Sequence, residues 1–343
     1  MSSEECEANQ DTTFPGVDLS DDGRYASFIS SATNLVVGDN NNRPDVFIRD
    51  RITGVTTKIL FADDWPSTSI SGDGSLVAIR SNSDIKVVNT QTLVSEVIAR
   101  GDGPSMSGDG RYVAFHSLSA LIPEDSNSDY DIYVYDRQDS IMRRVSESSA
   151  GSQADNSSFW PVISADGSTV AFSSFATNLI ASDTNGQADV FLHKLNSSET
   201  QLVSITPGGG QFDGKSDNQP GISADGRFVV FGTEAPFGIF LRDVIAGTTI
   251  KIGVQGIDPD ISADGRYVVY RNTNTFVYDV QTQQTMLAAE GLNGDPPNAG
   301  GWGGLSISSD GKFIAFASDA TNLVPGDTNA VRDVFIVENP LFP

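Results

Sequence analysis

The chain of 343 residues has one cysteine, two histidines and only 21 lysines and arginines against 45 acids. With Cys6 alone, no internal disulfide can form and no thiolate cluster can hold a metal. His116 and His193 stand in no zinc-protease pattern, and no nucleophile elbow is present. The formal charge of −24 disfavours nucleic acid, because affinity there comes from cationic side chains neutralising phosphates. It equally disfavours anionic membrane surfaces. There is no apolar run of membrane-spanning length, so membrane insertion is not expected, and no signal-peptide core is seen. No stretch of helical period is long enough for a helical domain.

What is present is a repeat. Ile163-Ser164-Ala165-Asp166-Gly167-Ser168-Thr169-Val170-Ala171-Phe172 reads as strand, turn and strand, and it occurs seven times. The turn glycines are Gly23, Gly74, Gly110, Gly167, Gly226, Gly265 and Gly311, each preceded by aspartate and each with a serine three residues before it. Asp-Gly between alternating apolar runs is a strong hairpin signal, and the serine hydroxyl can fix the turn backbone. Repetition every 40–50 residues or so marks a propeller or solenoid. The expected fold is all-β: one seven-bladed β-propeller of four-stranded antiparallel blades. The blades span about 14–61, 66–99, 103–146, 160–205, 220–254, 258–289 and 304–338, with ring closure near the N-terminus and blade 7. Blade 7 lacks a sequence for its fourth strand. The segment before Phe14 is a poor strand former, so it either pairs weakly or leaves that blade with three strands.

Ser-x-Asp-Gly-Arg-Tyr-Val-Ala-Phe followed by Asp-Val-Phe-x-x-Asp resembles the WD40-like (PD40) repeat of bacterial TolB-type propellers, over nearly the whole chain. The resemblance implies a periplasmic or extracellular protein. Its broader group includes translocation-complex proteins, cell-surface proteins and a few polysaccharide lyases. The additional N-terminal domain of TolB itself is not found in this sequence.

The a–b and c–d connections read as tight and the b–c and d–a connections as long. Up-and-down connectivity puts both long sets on one face, where binding is expected. Four b–c loops share Asp-x-Asn-x-x-x-Asp: Asp39, Asn41 and Asp45; Asp125, Asn127 and Asp131; Asp183, Asn185 and Asp189; Asp327, Asn329 and Asp333. Oxygen ligands at this spacing resemble a shortened calcium loop, so calcium is the candidate cofactor. The same residues also cap turns without metal, as Asp84 of blade 2 suggests, where the rest of the loop is missing. Trp65, Trp160 and Trp302 fall in d–a connections, with Arg80, His116 and Arg271 just after the strand-b aromatics. These six are the candidate ligand-binding residues, as stacking platforms for sugar rings and receivers of a carboxylate; the alternative is that they staple loops to the blade ends. The expected function is a non-catalytic, monomeric scaffold for a protein or glycan partner. The alternative is a lyase on acidic sugars, with a base and a cation beside an enolate.

Overall fold

The computed structural model describes residues 7–61, 66–216, 219–301 and 303–343. Its strands fall into seven antiparallel sheets taken up in chain order. Blade 1 is β1 (Thr12–Leu19), β2 (Tyr25–Ser30), β3 (Asp45–Asp50) and β4 (Val55–Phe61). Blade 2 is β5 (Thr68–Ile70), β6 (Leu76–Ser81), β7 (Asp84–Asn89) and β8 (Ser95–Arg100). Blade 3 is β9 (Asp102–Met106), β10 (Tyr112–Ser117), β11 (Asp131–Asp136) and β12 (Ile141–Arg144). Blade 4 is β13 (Ser158–Ile163), β14 (Thr169–Ser174), β15 (Asp189–Lys194) and β16 (Glu199–Leu202). Blade 5 is β17 (Gly221–Ile222), β18 (Phe228–Glu234), β19 (Phe237–Asp243) and β20 (Thr248–Gly253). Blade 6 is β21 (Ile257–Ile261), β22 (Tyr267–Arg271), β23 (Thr275–Asp279) and β24 (Gln284–Leu287). Among the described residues blade 7 has three strands, β25 (Leu305–Ile307), β26 (Phe313–Ser318) and β27 (Asp333–Glu338). The fold is thus the expected all-β propeller.

The repeated turn explains itself chemically. In all seven copies the serine hydroxyl donates to the aspartate two residues on, at 2.6–2.9 Å. It also accepts the N–H five residues on, at 2.9–3.1 Å. The turn is wider than the two-residue hairpin Asp-Gly alone implies. Gly23 N–H bonds the Ser20 carbonyl, and Ser20 N–H that of Tyr25. The glycine closes it at φ of +64° to +75°, a region in which a Cβ would clash with the following carbonyl.

Aromatic pairs from strands b and c stack between blades, as Phe28 on Phe47, Phe115 on Tyr133, Phe172 on Phe191, Phe231 on Phe240, Tyr270 on Phe276 and Phe316 on Phe335. The apolar residues four before each turn glycine are all buried, from Leu19 to Ile307.

The a strands are innermost: each meets the next blade's a strand, and β25 meets β1. Main-chain bonds between neighbouring a–b turns run round the axis. They link Asp21 to Gly72, Gly72 to Gly108, Gly108 to Ala165, Asp166 to Ala224, Ala224 to Ala263 and Ala263 to Ser309. Asp310 N–H to the Asp21 carbonyl, at 3.3 Å, closes the circle. Residues 7–12 add to this seam. Thr12 N–H bonds the Arg332 carbonyl at 3.0 Å, and Ala8 is buried against blades 1 and 7. Among the described residues no strand pairs with β27 on its outer side. Residues 4–6 of the suspected pairing segment lie outside the described residues.

The c–d turns are tight, as expected. The b–c connections are not uniformly long. Residues 31–44, 118–130, 175–188 and 319–332 form long loops, but blades 2, 5 and 6 turn within two or three residues, at 82–83, 235–236 and 272–274. The long loops therefore sit on blades 7 and 1 and on blades 3 and 4.

Candidate functional site

Three of the six candidate ligand residues come together at the long-loop end of blades 2 to 4. His116, near the end of β10, is 5% exposed and lies opposite Asp102 of β9. Its ring meets Tyr130, Phe159 and Trp160 edge-on, at centroid distances of 5.8, 5.5 and 5.6 Å. Arg80 Nε stands 3.3 Å from Asp102 Oδ2. Burial pushes the imidazole down to about 4; Arg80 adds to the effect and Asp102 opposes it. His116 is thus neutral at pH 7, and its buried Nδ1 has no hydrogen-bond partner.

The backbone around it is built for close approach. A Cβ on Gly103 would lie 3.0 Å from His116 Cε1 and 3.1 Å from Nδ1, and Gly103 has φ +58°. The sequence places Trp160 in a connection; the structure places it inside β13, at a register shift, with φ +55° and 40% exposure. A non-glycine residue in this region costs about 1–2 kcal/mol, and bulges of this kind re-aim side chains at functional sites. Asp258 in β21 occupies the corresponding position, four before the turn serine, with φ +50°.

The other three candidates do not join the cluster. Arg271 belongs to blade 6, across the ring. It is buried, donating to the Gly303 carbonyl at 2.7 Å and to the Asp258 carboxylate. Trp65 and Trp302, like Cys6, lie outside the described residues. Tyr130, Asp102 and Gly103 were missed by sequence reasoning, because each looks like an ordinary strand or loop residue; only the bulge makes them neighbours of His116.

The four Asp-x-Asn loops are held by capping. Each asparagine Oδ1 accepts the N–H two residues on, from Arg43, Asp129, Gln187 and Val331. Between the paired carboxylates, where an ion would sit, three loops place a protein donor. In blade 1 it is Lys58 of β4, with Nζ 2.5 Å from Asp45 and 3.2 Å from Asp39. In blade 3, Gln153 Nε2 donates to Asp125 at 2.7 Å and to Asp131 at 2.8 Å. In blade 4, Gln211 Nε2 donates to Asp183 at 3.0 Å and to Asp189 at 2.8 Å. Ser146 and Ser204 complete the closing aspartates of blades 3 and 4. In blade 7 the residue at the glutamine position is Glu7, whose carboxylate accepts from Thr328, while Asp327 Oδ1 has no partner. Burial raises the closing carboxyls Asp45, Asp131, Asp189 and Asp333 above their usual range. Among the described residues no three His, Cys, Asp or Glu side chains gather as a metal site, and no helix is long and apolar enough to cross a membrane.

On the opposite face a cleft of about 310 Å³ opens between blades 3 and 4, lined by Tyr112, Val134, Ile141 and Leu195.

No family model matches the chain, and none of the curated proteins matches it in sequence. Solved structures do share its fold. An oligogalacturonate lyase from Vibrio parahaemolyticus superposes with a TM-score of 0.64 at 14% identity, over 97% of this chain and 91% of that one. An oligogalacturonate lyase in complex with manganese gives 0.65 at 14% identity, over 97% and 90%. TolB from Acinetobacter baumannii gives 0.50 at 18% identity, over 75% of this chain and 60% of that one. The chain's two histidines sit on different blades, and His193 Nδ1 is 2.9 Å from Thr200 Oγ1.

Proposed function

We propose that this propeller is a binding module that holds a glycan chain, unaltered, at the mouth of blades 3 and 4. The observation that carries the reading is Trp160: half-exposed, held at positive φ, and packed edge-on to a buried imidazole with a free Nδ1. An indole presented this way is a platform for a sugar ring. Tyr130 and Phe159 extend the apolar surface, while the half-exposed Asp102 offers an acceptor for hydroxyl groups. By resemblance alone, the protein works in the periplasm or outside the cell.

The fold likeness to oligogalacturonate lyases motivates a second reading, cleavage of an acidic polysaccharide on the same face. Three features weigh against it. Arg271 is across the ring and bonded to Asp258; Arg80 stands beside Asp102; and a charge of −24 repels a polyuronate. The test is a panel of neutral and uronate glycans, followed by calorimetry and by ultraviolet detection of unsaturated products. Trp160→Gly relieves the backbone and is expected to keep the fold while weakening glycan binding about tenfold or more. Unsaturated product from a uronate, lost in His116→Ala, would establish the lyase instead; no binding to any glycan sinks both readings.

A further inference from the structure

On the face of the tight turns, the first residue after strand c guards the seam to the preceding blade. In four blades its side chain donates to the carbonyl of the turn glycine: Arg51 to Gly23 at 2.6 Å, Thr90 to Gly74 at 2.9 Å, Arg137 to Gly110 at 2.7 Å and Asn339 to Gly311 at 2.8 Å. The two arginines also reach the blade before. Arg51 lies over the Phe313 ring of blade 7, 4.0 Å from its centroid, and Arg137 Nε is 3.2 Å from Glu96 of β8. In blade 4 the same position is Leu195, which has no donor for the Gly167 carbonyl and no reach across the seam. Tyr112 of blade 3 stands there where blade 7 has Phe313, five residues after the turn serine. The cleft of about 310 Å³ between blades 3 and 4 opens at this point, with Leu195, Tyr112 and Gly167 among its walls.

The walls set the chemistry of what fits. Tyr112, Ile141 and Leu195 supply apolar surface from both blades. Arg143 of β12 pairs across from Val134 of β11, and both line the cleft. Arg143 is exposed, and among the described residues it has no hydrogen-bond or ion-pair partner. The two carboxylates at the cleft are already engaged. Asp136 Oδ2 holds Arg111 at 2.6 Å, and Asp166 Oδ1 accepts the Ser164 hydroxyl at 2.6 Å and the Ser168 N–H at 2.9 Å. Apolar walls with a few placed polar groups are the make-up of a small-molecule site. The volume is that of roughly ten waters, enough for on the order of ten to fifteen non-hydrogen atoms.

We propose that this cleft binds a small amphipathic carboxylate, an N-acylated hydrophobic amino acid. Its side chain lies between Tyr112, Ile141 and Leu195, its carboxylate meets Arg143, and its amide N–H turns to the Gly167 carbonyl. A guanidinium with its donors unspent favours a carboxylate, because the two planar groups share paired, charge-assisted hydrogen bonds. The overall charge of −24 does not forbid this. Its field is screened beyond about 10 Å of salt solution, whereas Arg143 acts at contact. The cleft is on the face opposite Trp160, so the site is independent of the glycan reading.

The probe is N-acetyl-L-phenylalanine, titrated into the full chain and followed by nuclear magnetic resonance shifts of the protein. Saturable binding with a dissociation constant of about 1 mM or tighter is expected for so small a ligand. The shifts should centre on Val134, Ile141 and Leu195 and spare Trp160. Arg143→Gln changes an exposed residue and should weaken binding about fivefold or more, and the methyl amide of the probe should lose as much. Leu195→Arg puts in blade 4 the side chain that spans the seam in blades 1 and 3, and should abolish binding. Ile141→Glu, at the exposed rim, makes the same test should that variant fail to fold. The proposal is overturned if the probe does not approach saturation by about 10 mM, or if its neutral amide or phenethylamine binds as tightly. It is overturned equally if binding survives Leu195→Arg or Ile141→Glu unchanged. Tighter binding of a longer peptide ending in phenylalanine would replace the free acid by a polypeptide end as the ligand.

Discussion

His116 shows how much a single side chain's role depends on its surroundings. Its type and its place after a strand-b aromatic marked it out, and both suggested a cation for an acidic ligand. Burial among three aromatic rings makes it a neutral acceptor instead. The expected consequence is a nuclear magnetic resonance titration of His116 with a midpoint near 4, so the ring does not change charge between pH 5.5 and 8. Arg80 helps hold the proton off, so Arg80→Gln should move the midpoint up; an unmoved midpoint would mean that Arg80 is electrostatically remote. Because the folded-state value is depressed, this histidine costs stability as pH falls from about 6.5 towards 4, where the unfolded chain binds a proton that the native one refuses. Arg271 was the opposite case. Matching position made it look like a partner for His116, but its charge goes to Asp258, a strand residue that nothing in the sequence distinguishes from its neighbours.

The hairpin elements were the most legible part of the chain, because their chemistry is local. Serine, aspartate and glycine within four residues make every bond the turn needs, so the pattern survives reading without a structure. Removing one hydroxyl tests this: Ser164→Ala leaves Thr169 N–H buried without its acceptor, at a cost of about 1–3 kcal/mol in chemical denaturation. The Asp-x-Asn loops were only half legible. Their capping is local, but the donors between the carboxylates come from elsewhere, Lys58 from the outer strand and Gln153 and Gln211 from the next connection. Spacing alone therefore could not tell an ion from an amide. Lys58→Met would leave Asp45, fully buried, beside Asp39 without a counter-charge, a loss of about 3–5 kcal/mol at pH 7. Since burial already raises the Asp45 carboxyl, the variant should regain stability as the pH is lowered and that group takes a proton. Equal destabilisation at pH 5 and pH 7 would contradict this account.

At the scale of the whole ring, closure rests on the inner wall more than on the rim. Two residues before the turn serine, in five blades, a polar side chain accepts the next blade's N–H: Asp18 from Ile70, Ser69 from Met106, Ser105 from Ile163, Asp260 from Ile307 and Ser306 from Leu19. Val162 and Gly221 interrupt the series in blades 4 and 5. The repeats announced seven blades, but this wall was not read, because aspartate, serine, valine and glycine share no pattern in one dimension. The two acids flank the three-stranded blade, with Ser306 donating to Asp18 at 3.0 Å between them. Enclosure and the neighbouring Asp18 push Asp260 up to about 7. A carboxyl raised in the folded state stabilises the fold below its unfolded value, near 4, and that contribution is lost as pH climbs towards 7. Asp260 should therefore lower the melting temperature as pH rises from 5 to 8, against the opposite trend that His116 and His193 impose below about pH 6.5. Its share is read as a difference: Asp260→Asn, which cannot ionise, should change the slope towards greater relative stability at high pH while leaving the Ile307 N–H an acceptor. A variant with the wild-type slope would mean that the ring takes its pH dependence from groups other than Asp260.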